Sequence, residues 1–312
     1  MSASASASTP ASTPLSAPSA PSAAPPAPPR TGYRGDLVLF MAVTFGLSWA
    51  SWFVAAGLGG EAMKPPTALP YLFGAFGPLI GALVIRIRRR RRGEPVPAHV
   101  VPFRRGTLAW APLLLVLASA TVLVAALLAH AAGGPGLSWE NAKDVMKDAG
   151  GPAAFLVSMV ISGPLSEEAG WRGTAYPRMR ASMGRLTVGV VLGVIWAVWH
   201  LPLFFIDGTV QNGLGLATPG GVLFAASTVP MAMLTAYAYE RAGVVAAMAV
   251  HFAVNTTMIL LSVETPETQA MIMGVQALVA VLLVVTHRPE STRTPAQDQH
   301  SQLPLAGPHS GR

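Results

Sequence analysis

The sequence contains no cysteine and very little charge. Only 11% of its 312 residues are charged, whereas a soluble domain would carry roughly 25%. The missing cysteines exclude disulfides, thiol catalysis and thiolate metal sites. The scarcity of charge, with 52% hydrophobic residues and a mean hydropathy of +0.48, excludes a soluble globular domain. Apolar runs of about 20 residues are typical of membrane helices, so the sequence predicts a polytopic integral membrane protein.

Both ends of the chain lack the apolar residues that a folded core needs. The first segment, which begins MSASASASTPASTP, is rich in Ser, Ala and Pro, and the last segment is similarly polar. Such segments cannot bury enough surface to offset their ordering entropy. We therefore expect disordered tails at 1–36 and 287–312, on either side of a transmembrane domain at 37–286.

The transmembrane domain is predicted to be all-α, because each apolar run is long enough for a spanning helix and too long for a strand. Short connections at 181–185 and 240–242 predict two helical hairpins. About eight spans are expected, at 37–58, 68–87, 107–132, 152–180, 186–206, 220–239, 243–262 and 269–286.

The orientation follows from the arginines. The run IRIRRRRRG after the second span is predicted to be cytoplasmic, because positive loops stay inside. Alternating the spans from there places both termini in the cytoplasm and every arginine except Arg172 at or near the cytoplasmic side. The net charge of +7 therefore indicates membrane orientation, with some affinity for anionic lipid, rather than nucleic-acid binding.

A few ionisable or strongly polar side chains lie inside the apolar spans, where a charge costs several kcal/mol, about 3 on insertion scales. They are Glu167, Glu168, Arg172, His200, His251 and Asn255. At about 1.5 Å per residue, Glu167 and His200 both lie about 24 Å from the connection at 181–185, and His251 and Asn255 lie about 14 and 20 Å from the connection at 240–242. Groups from three helices thus share one layer of the membrane, which predicts a functional polar site.

Helical spacing divides these residues by direction. Glu168 and Arg172 are four residues apart, so they stack on one helix face and are expected to pair. Glu167 is rotated by about 100° and can point elsewhere. A lone buried histidine or asparagine is often an interhelical contact worth about 0.6 kcal/mol, but the combination favours chemistry.

The group of side chains suits hydrolysis of an acyl compound by activated water. A buried carboxylate can act as a general base, an imidazole can hold the water, and a second imidazole and an amide can donate to an oxyanion. Other intramembrane protease chemistries fit poorly. The sequence contains no HExxH, no GxSxG and no pair of aspartates within the spans.

Three motifs resemble those of a known family. They are EEAGWR at 167–172, WAVWH at 196–200 and HFAVN at 251–255. Together they resemble the CAAX-processing and bacteriocin-processing intramembrane proteases, which include the type II CAAX prenyl endopeptidases. The resemblance covers 152–262 and implies a helical bundle with an intramembrane catalytic cavity. One departure is Trp196, where the family usually has phenylalanine, and a changed pocket wall is expected there.

The resemblance also implies roles for the residues. Glu167 would activate water together with His200, and His251 and Asn255 would stabilise the oxyanion. Glu168 and Arg172 would support the site as an ion pair. A divalent metal such as zinc, or no metal at all, is compatible with these residues.

The expected partners are the lipid bilayer and a membrane-anchored protein or peptide substrate in the cell membrane. CAAX-type processing and the maturation of, or immunity to, a small bacteriocin-like peptide both stay open, as does lipidation of the substrate. Two other functions compete with the endopeptidase. Buried Glu, His and Arg suit a proton-coupled transporter, although no repeated half is visible. An inactive scaffold or immunity protein is the third, although all six motif residues are present.

Overall fold

The computed structural model describes residues 32–97, 99–137, 139–263 and 265–286. These residues are mainly helical and contain no β-strand, as predicted. The predicted tails lie outside the described residues apart from 32–36. Eleven helices occupy the described ranges: α1 Tyr33–Leu58, α2 Ala68–Ala75, α3 Gly77–Arg91, α4 Thr107–Ala131, α5 Trp139–Asp148, α6 Pro152–Arg180, α7 Arg185–Trp199, α8 Val210–Leu214, α9 Pro219–Ala242, α10 Val244–Leu260 and α11 Pro266–Thr286.

The apolar helices agree with the predicted membrane spans. Five of them are individually long and apolar enough to cross a bilayer: α1, α4, α7 together with the 3₁₀ helix Leu201–Phe205 that follows it, α9 and α11. Two bent pairs, α2–α3 at 47° and α5–α6 at 76°, raise the number to seven. The remaining predicted span corresponds to α10, which has 17 residues. The polytopic all-α fold is confirmed, and the count of eight stays a prediction.

Helix α6 carries two π-helical turns, at Ile161–Leu165 and Trp171–Ala175. Pro164 lies in the first turn. A proline lacks a backbone N–H and its ring collides with the carbonyl four residues earlier, and the wider π-turn relieves that collision. The five residues between the two turns, SEEAG, form a short α-helical stretch. The acidic pair is therefore held in the segment whose rotation the two π-turns set.

Close helix packing surrounds this stretch. Helix α10 packs against the first π-turn, and α3 packs against residues 166–170. At Gly170 a β-carbon would lie only 2.5 Å from the backbone oxygen of Pro78. Glycine is required there because any side chain would push α3 away from α6.

An ionic cluster joins three helices at the end where the arginine run lies. Asp36, which is only 1% exposed, contacts Arg88 at 2.7 Å, Arg89 at 2.8 Å and Arg178 at 3.2 Å. Helix α1 begins at Tyr33, so Asp36 belongs to its first turn rather than to a tail ending at residue 36. Two members of the arginine run thus tie α3 to α1 and α6, in addition to any role in orientation.

Candidate active site

Glu167 projects from α6 into a cavity between the helices. Its side chain is 4% exposed, and its Oε2 accepts a hydrogen bond from the indole Nε1 of Trp196 at 2.6 Å. Trp196 is on α7, so this bond joins the two helices. The indole N–H of Trp196 thus fixes the carboxylate of Glu167, and Glu167 still lines the cavity.

Glu168 points away from the cavity and is completely buried. Its Oε1 accepts hydrogen bonds from Nη1 of Arg172 at 3.0 Å and from Nδ1 of His251 at 2.8 Å. The guanidinium of Arg172 also lies over the ring of Trp196, 4.4 Å from its centroid. The predicted pairing of Glu168 with Arg172 is confirmed, and the structure adds His251 as a second partner.

His200 directly follows the last residue of α7 and lines the same cavity. Its Nδ1 lies 2.8 Å from the backbone oxygen of Trp196. A carbonyl oxygen can only accept a hydrogen bond, so Nδ1 carries the proton. In the neutral ring Nε2 is therefore unprotonated and can accept a proton or hold a water.

His251 and Asn255 lie on one face of α10 and also line the cavity. Both approach the first π-turn of α6 at Gly163. A β-carbon on Gly163 would lie 3.2 Å from Nε2 of His251 and 3.5 Å from Nδ2 of Asn255. The absence of a side chain at 163 leaves these two nitrogens room beside the backbone of α6.

The cavity has a volume of about 270 Å³. Six polar or aromatic side chains of the predicted motifs line it, and Glu168 and Arg172 do not. The six are Glu167, Trp196, Trp199, His200, His251 and Asn255. Much of the remaining wall is apolar and rich in methionine, with Trp52, Tyr71, Met159, Leu203, Phe224, Met231, Met258 and Met273. The arrangement places hydrogen-bonding groups from three helices against one apolar space.

A protein metal site of this kind needs at least three ligands that converge on one point. Among the described residues no three His, Asp or Glu side chains are grouped so that they could hold a metal ion. The hydrogen bonds at Nδ1 of His251 and of His200 do not bear on this, because a metal-ligating histidine usually makes such a bond and binds through its other nitrogen. The described side chains as placed do not form a three-ligand metal centre.

The hydrogen bond from Trp196 was missed by reasoning from the sequence, which treated this residue as a wall of the pocket. The signal was present: Trp196 is four residues before His200, on the same helix face, and it carries an N–H that the usual phenylalanine lacks. The fourth residue of the ionic cluster, Asp36, was missed because its arginine partners lie far away in sequence.

The fold and this site define a polytopic membrane protein with a buried site of carboxylate, imidazole and amide groups. The known proteins that this chain resembles are consistent with that class. Residues 149–257 match the family model described as Rce1-like, type II CAAX prenyl endopeptidase. The chain is also 23% identical over 275 residues to a protein of Methanococcus maripaludis named CAAX prenyl protease 2, covering 82% of this chain and 95% of that protein. The resemblance indicated by the three motifs is confirmed, and the family match supports intramembrane endopeptidase activity.

Proposed function

We propose that this protein is an intramembrane endopeptidase that uses Glu167 and His200 to activate water. The substrate class is a protein or peptide held at the membrane and lipidated near its C-terminus. The matched family and the relative's name point to this class, and the apolar wall of the cavity suits a lipidated segment. The proposed location is the cell membrane with both termini in the cytoplasm.

The attacking water lies between Glu167 and His200 in this mechanism. Glu167 takes a proton from the water as its oxygen forms a bond to the scissile carbonyl carbon. Nε2 of His200, the unprotonated nitrogen of the neutral ring, accepts the second hydrogen bond of the water and orients it. The hydrogen bond from Trp196 restricts the rotation of the carboxylate, so the base is positioned before the substrate arrives.

The negative charge that forms on the carbonyl oxygen is stabilised from α10. Asn255 donates from its amide, and His251 donates from Nε2. In this role His251 carries both ring protons, one held by Glu168 and the other directed at the oxyanion. When the C–N bond breaks, the amine leaves with the proton that Glu167 took from water, and the carboxylate is restored.

Glu168 and Arg172 support the site from behind. Neither lines the cavity, so neither is proposed to touch the substrate. Glu168 is held by Arg172 and in turn fixes the ring of His251 through the bond to Nδ1. The proposed mechanism uses these side chains alone, and the chelator comparison below tests that choice.

The observation that carries this proposal is that Glu167, His200, His251 and Asn255 line one cavity. The test is proteolysis in liposomes of membrane-anchored peptides with and without a prenyl group, read by mass spectrometry. Wild type is compared with Glu167→Gln and His200→Ala, each with and without a chelator.

Cleavage by wild type that both variants lose supports the endopeptidase. Loss of wild-type cleavage with chelator would contradict the metal-free mechanism. No cleavage of any peptide by folded wild-type protein would contradict the proposed function, and equal cleavage with and without the prenyl group would contradict the substrate class.

A further inference from the structure

We infer that Gln276 on α11 is a substrate-positioning residue, whose amide N–H donates to a backbone carbonyl of the bound peptide. This inference rests on the proposed endopeptidase function. Gln276 lies outside the residues that match the family model, which end at 257. It therefore belongs to none of the three motifs.

The first observation is an unpaired donor. Gln276 is 2% exposed, and its Nε2 has no hydrogen-bond partner among the described residues. A buried amide without a partner is destabilising, so native proteins rarely keep one without a use or a bound water. The residue lies about three helical turns before the end of α11 at Thr286, within the apolar span.

The second observation is where this side chain is placed. Gln276 lines the same cavity as Glu167 and His251. Helix α11 packs against α9 and α4, and it presents one face to the cavity. Gln269, Ile272, Met273 and Gln276 lie on that face, spaced by three and four residues. The side chain of Gln276 thus borders the space the substrate would fill.

The chemistry of the cavity selects the acceptor. Among the described residues that line it there is no lysine or arginine. A free carboxylate at this place would have a neutral amide as its donor and neither a lysine nor an arginine to pair with, which is a poor match for its desolvation. A neutral carbonyl needs only one N–H. The geometry therefore points to an internal peptide carbonyl rather than the C-terminal carboxylate of the substrate.

The test compares wild type with Gln276→Met, which keeps the length of the side chain and removes the donor. KM for a cleaved peptide is expected to rise about three- to tenfold, the range of one neutral hydrogen bond. The kcat should change little, because Gln276 is not proposed to touch the reacting atoms. Thermal stability in detergent should be unchanged or higher, because the variant removes an unpaired buried donor. Leu278→Met, at a position that is 62% exposed on the same helix, is the control and should match wild type in both readouts.

A second measurement identifies the acceptor. Peptides in which one amide at a time is replaced by a trans-alkene are cleaved by both enzymes. One position should raise KM for wild type and leave KM for Gln276→Met unaffected, because the acceptor and donor of one bond are not additive.

Three results separate the possibilities. If wild type cleaves and Gln276→Met has the same KM, the amide pairs only with water and the inference is overturned. If the variant is less stable, and each alkene substitution raises KM by the same factor in both enzymes, the role of Gln276 is structural. The inference is then also overturned. If wild type cleaves nothing, the proposed function itself has failed, and the inference falls with it.

Discussion

Glu167 and Glu168 are neighbours in the chain, yet only Glu167 faces the cavity. The carboxylate of Glu168 is enclosed between Arg172 and His251, whereas that of Glu167 is held by Trp196 at the cavity wall. Adjacent residues on a helix differ by about 100° in direction. The two carboxylates therefore occupy separate environments, and substitutions at the two positions should have different consequences.

Replacing Glu167 by glutamine should abolish cleavage without unfolding the protein. The amide keeps the size of the side chain and can still accept from Trp196, but it cannot take a proton from water. The rate should fall by about 10²- to 10⁴-fold. Peptide cleavage and thermal unfolding in detergent would be measured together. A variant that keeps a substantial part of the wild-type rate would contradict the role of Glu167 as base.

Replacing Arg172 by methionine should destabilise the fold. Glu168 would lose its buried cation, and breaking a buried pair typically costs about 3–5 kcal/mol. The free energy of unfolding of the double variant, Glu168→Gln with Arg172→Met, should fall by less than the sum of the falls in the two single variants. The reason is that the double variant leaves no unpaired charge. Denaturant unfolding of the four proteins measures this coupling. Additive losses would show that the pair contributes nothing as a pair.

Trp196→Phe tests the indole donor. Phenylalanine keeps an aromatic ring against the guanidinium of Arg172, and it removes the hydrogen bond to Glu167. We expect kcat to fall about tenfold, the equivalent of about 1.4 kcal/mol from one charge-assisted bond. KM should change less, because the bond orients the base rather than the substrate. Unchanged kcat would mean that Glu167 is positioned without this donor.

Asp36→Asn tests the ionic cluster. The change leaves Arg88, Arg89 and Arg178 around a neutral amide, and the buried position makes the loss large, about 3 kcal/mol. The matched control is Arg92→Gln, because Arg92 lies 3.8 Å from Glu94 and is largely exposed. The control should stay within about 0.5 kcal/mol of wild type. Thermal unfolding measures the stability of both variants. Equal stability of Asp36→Asn and Arg92→Gln would contradict the stabilising role of the cluster.

Two glycines on α6 should respond differently to alanine. At Gly163 the new methyl group meets the ends of the His251 and Asn255 side chains, so activity should fall while the protein still folds. At Gly170 it meets the backbone of Pro78 at 2.5 Å, which neither helix can relieve without moving. We expect Gly170→Ala to reduce folded protein in size-exclusion chromatography. An active Gly163→Ala, or a fully stable Gly170→Ala, would contradict these packing arguments.

Much of this protein could be predicted from local sequence. Hydrophobic runs have lengths that match a bilayer, and the helix period brings residues four apart to one face. These two regularities were sufficient for the all-α membrane fold and for the pairing of Glu168 with Arg172. They also placed the two histidines and Asn255 at comparable depths.

What the sequence could not decide were contacts between residues far apart in the chain. The bond from Trp196 to Glu167 depends on how α7 is rotated against α6, and that rotation is set by two π-turns that no periodic pattern predicts. Asp36 meets its arginines only because α1, α3 and α6 converge. The sequence did not indicate a role for Gln276, because a single amide in an apolar helix forms no repeating pattern. Local spacing determined which residues share a helix face, and only the packing of the helices determined which faces meet around the cavity.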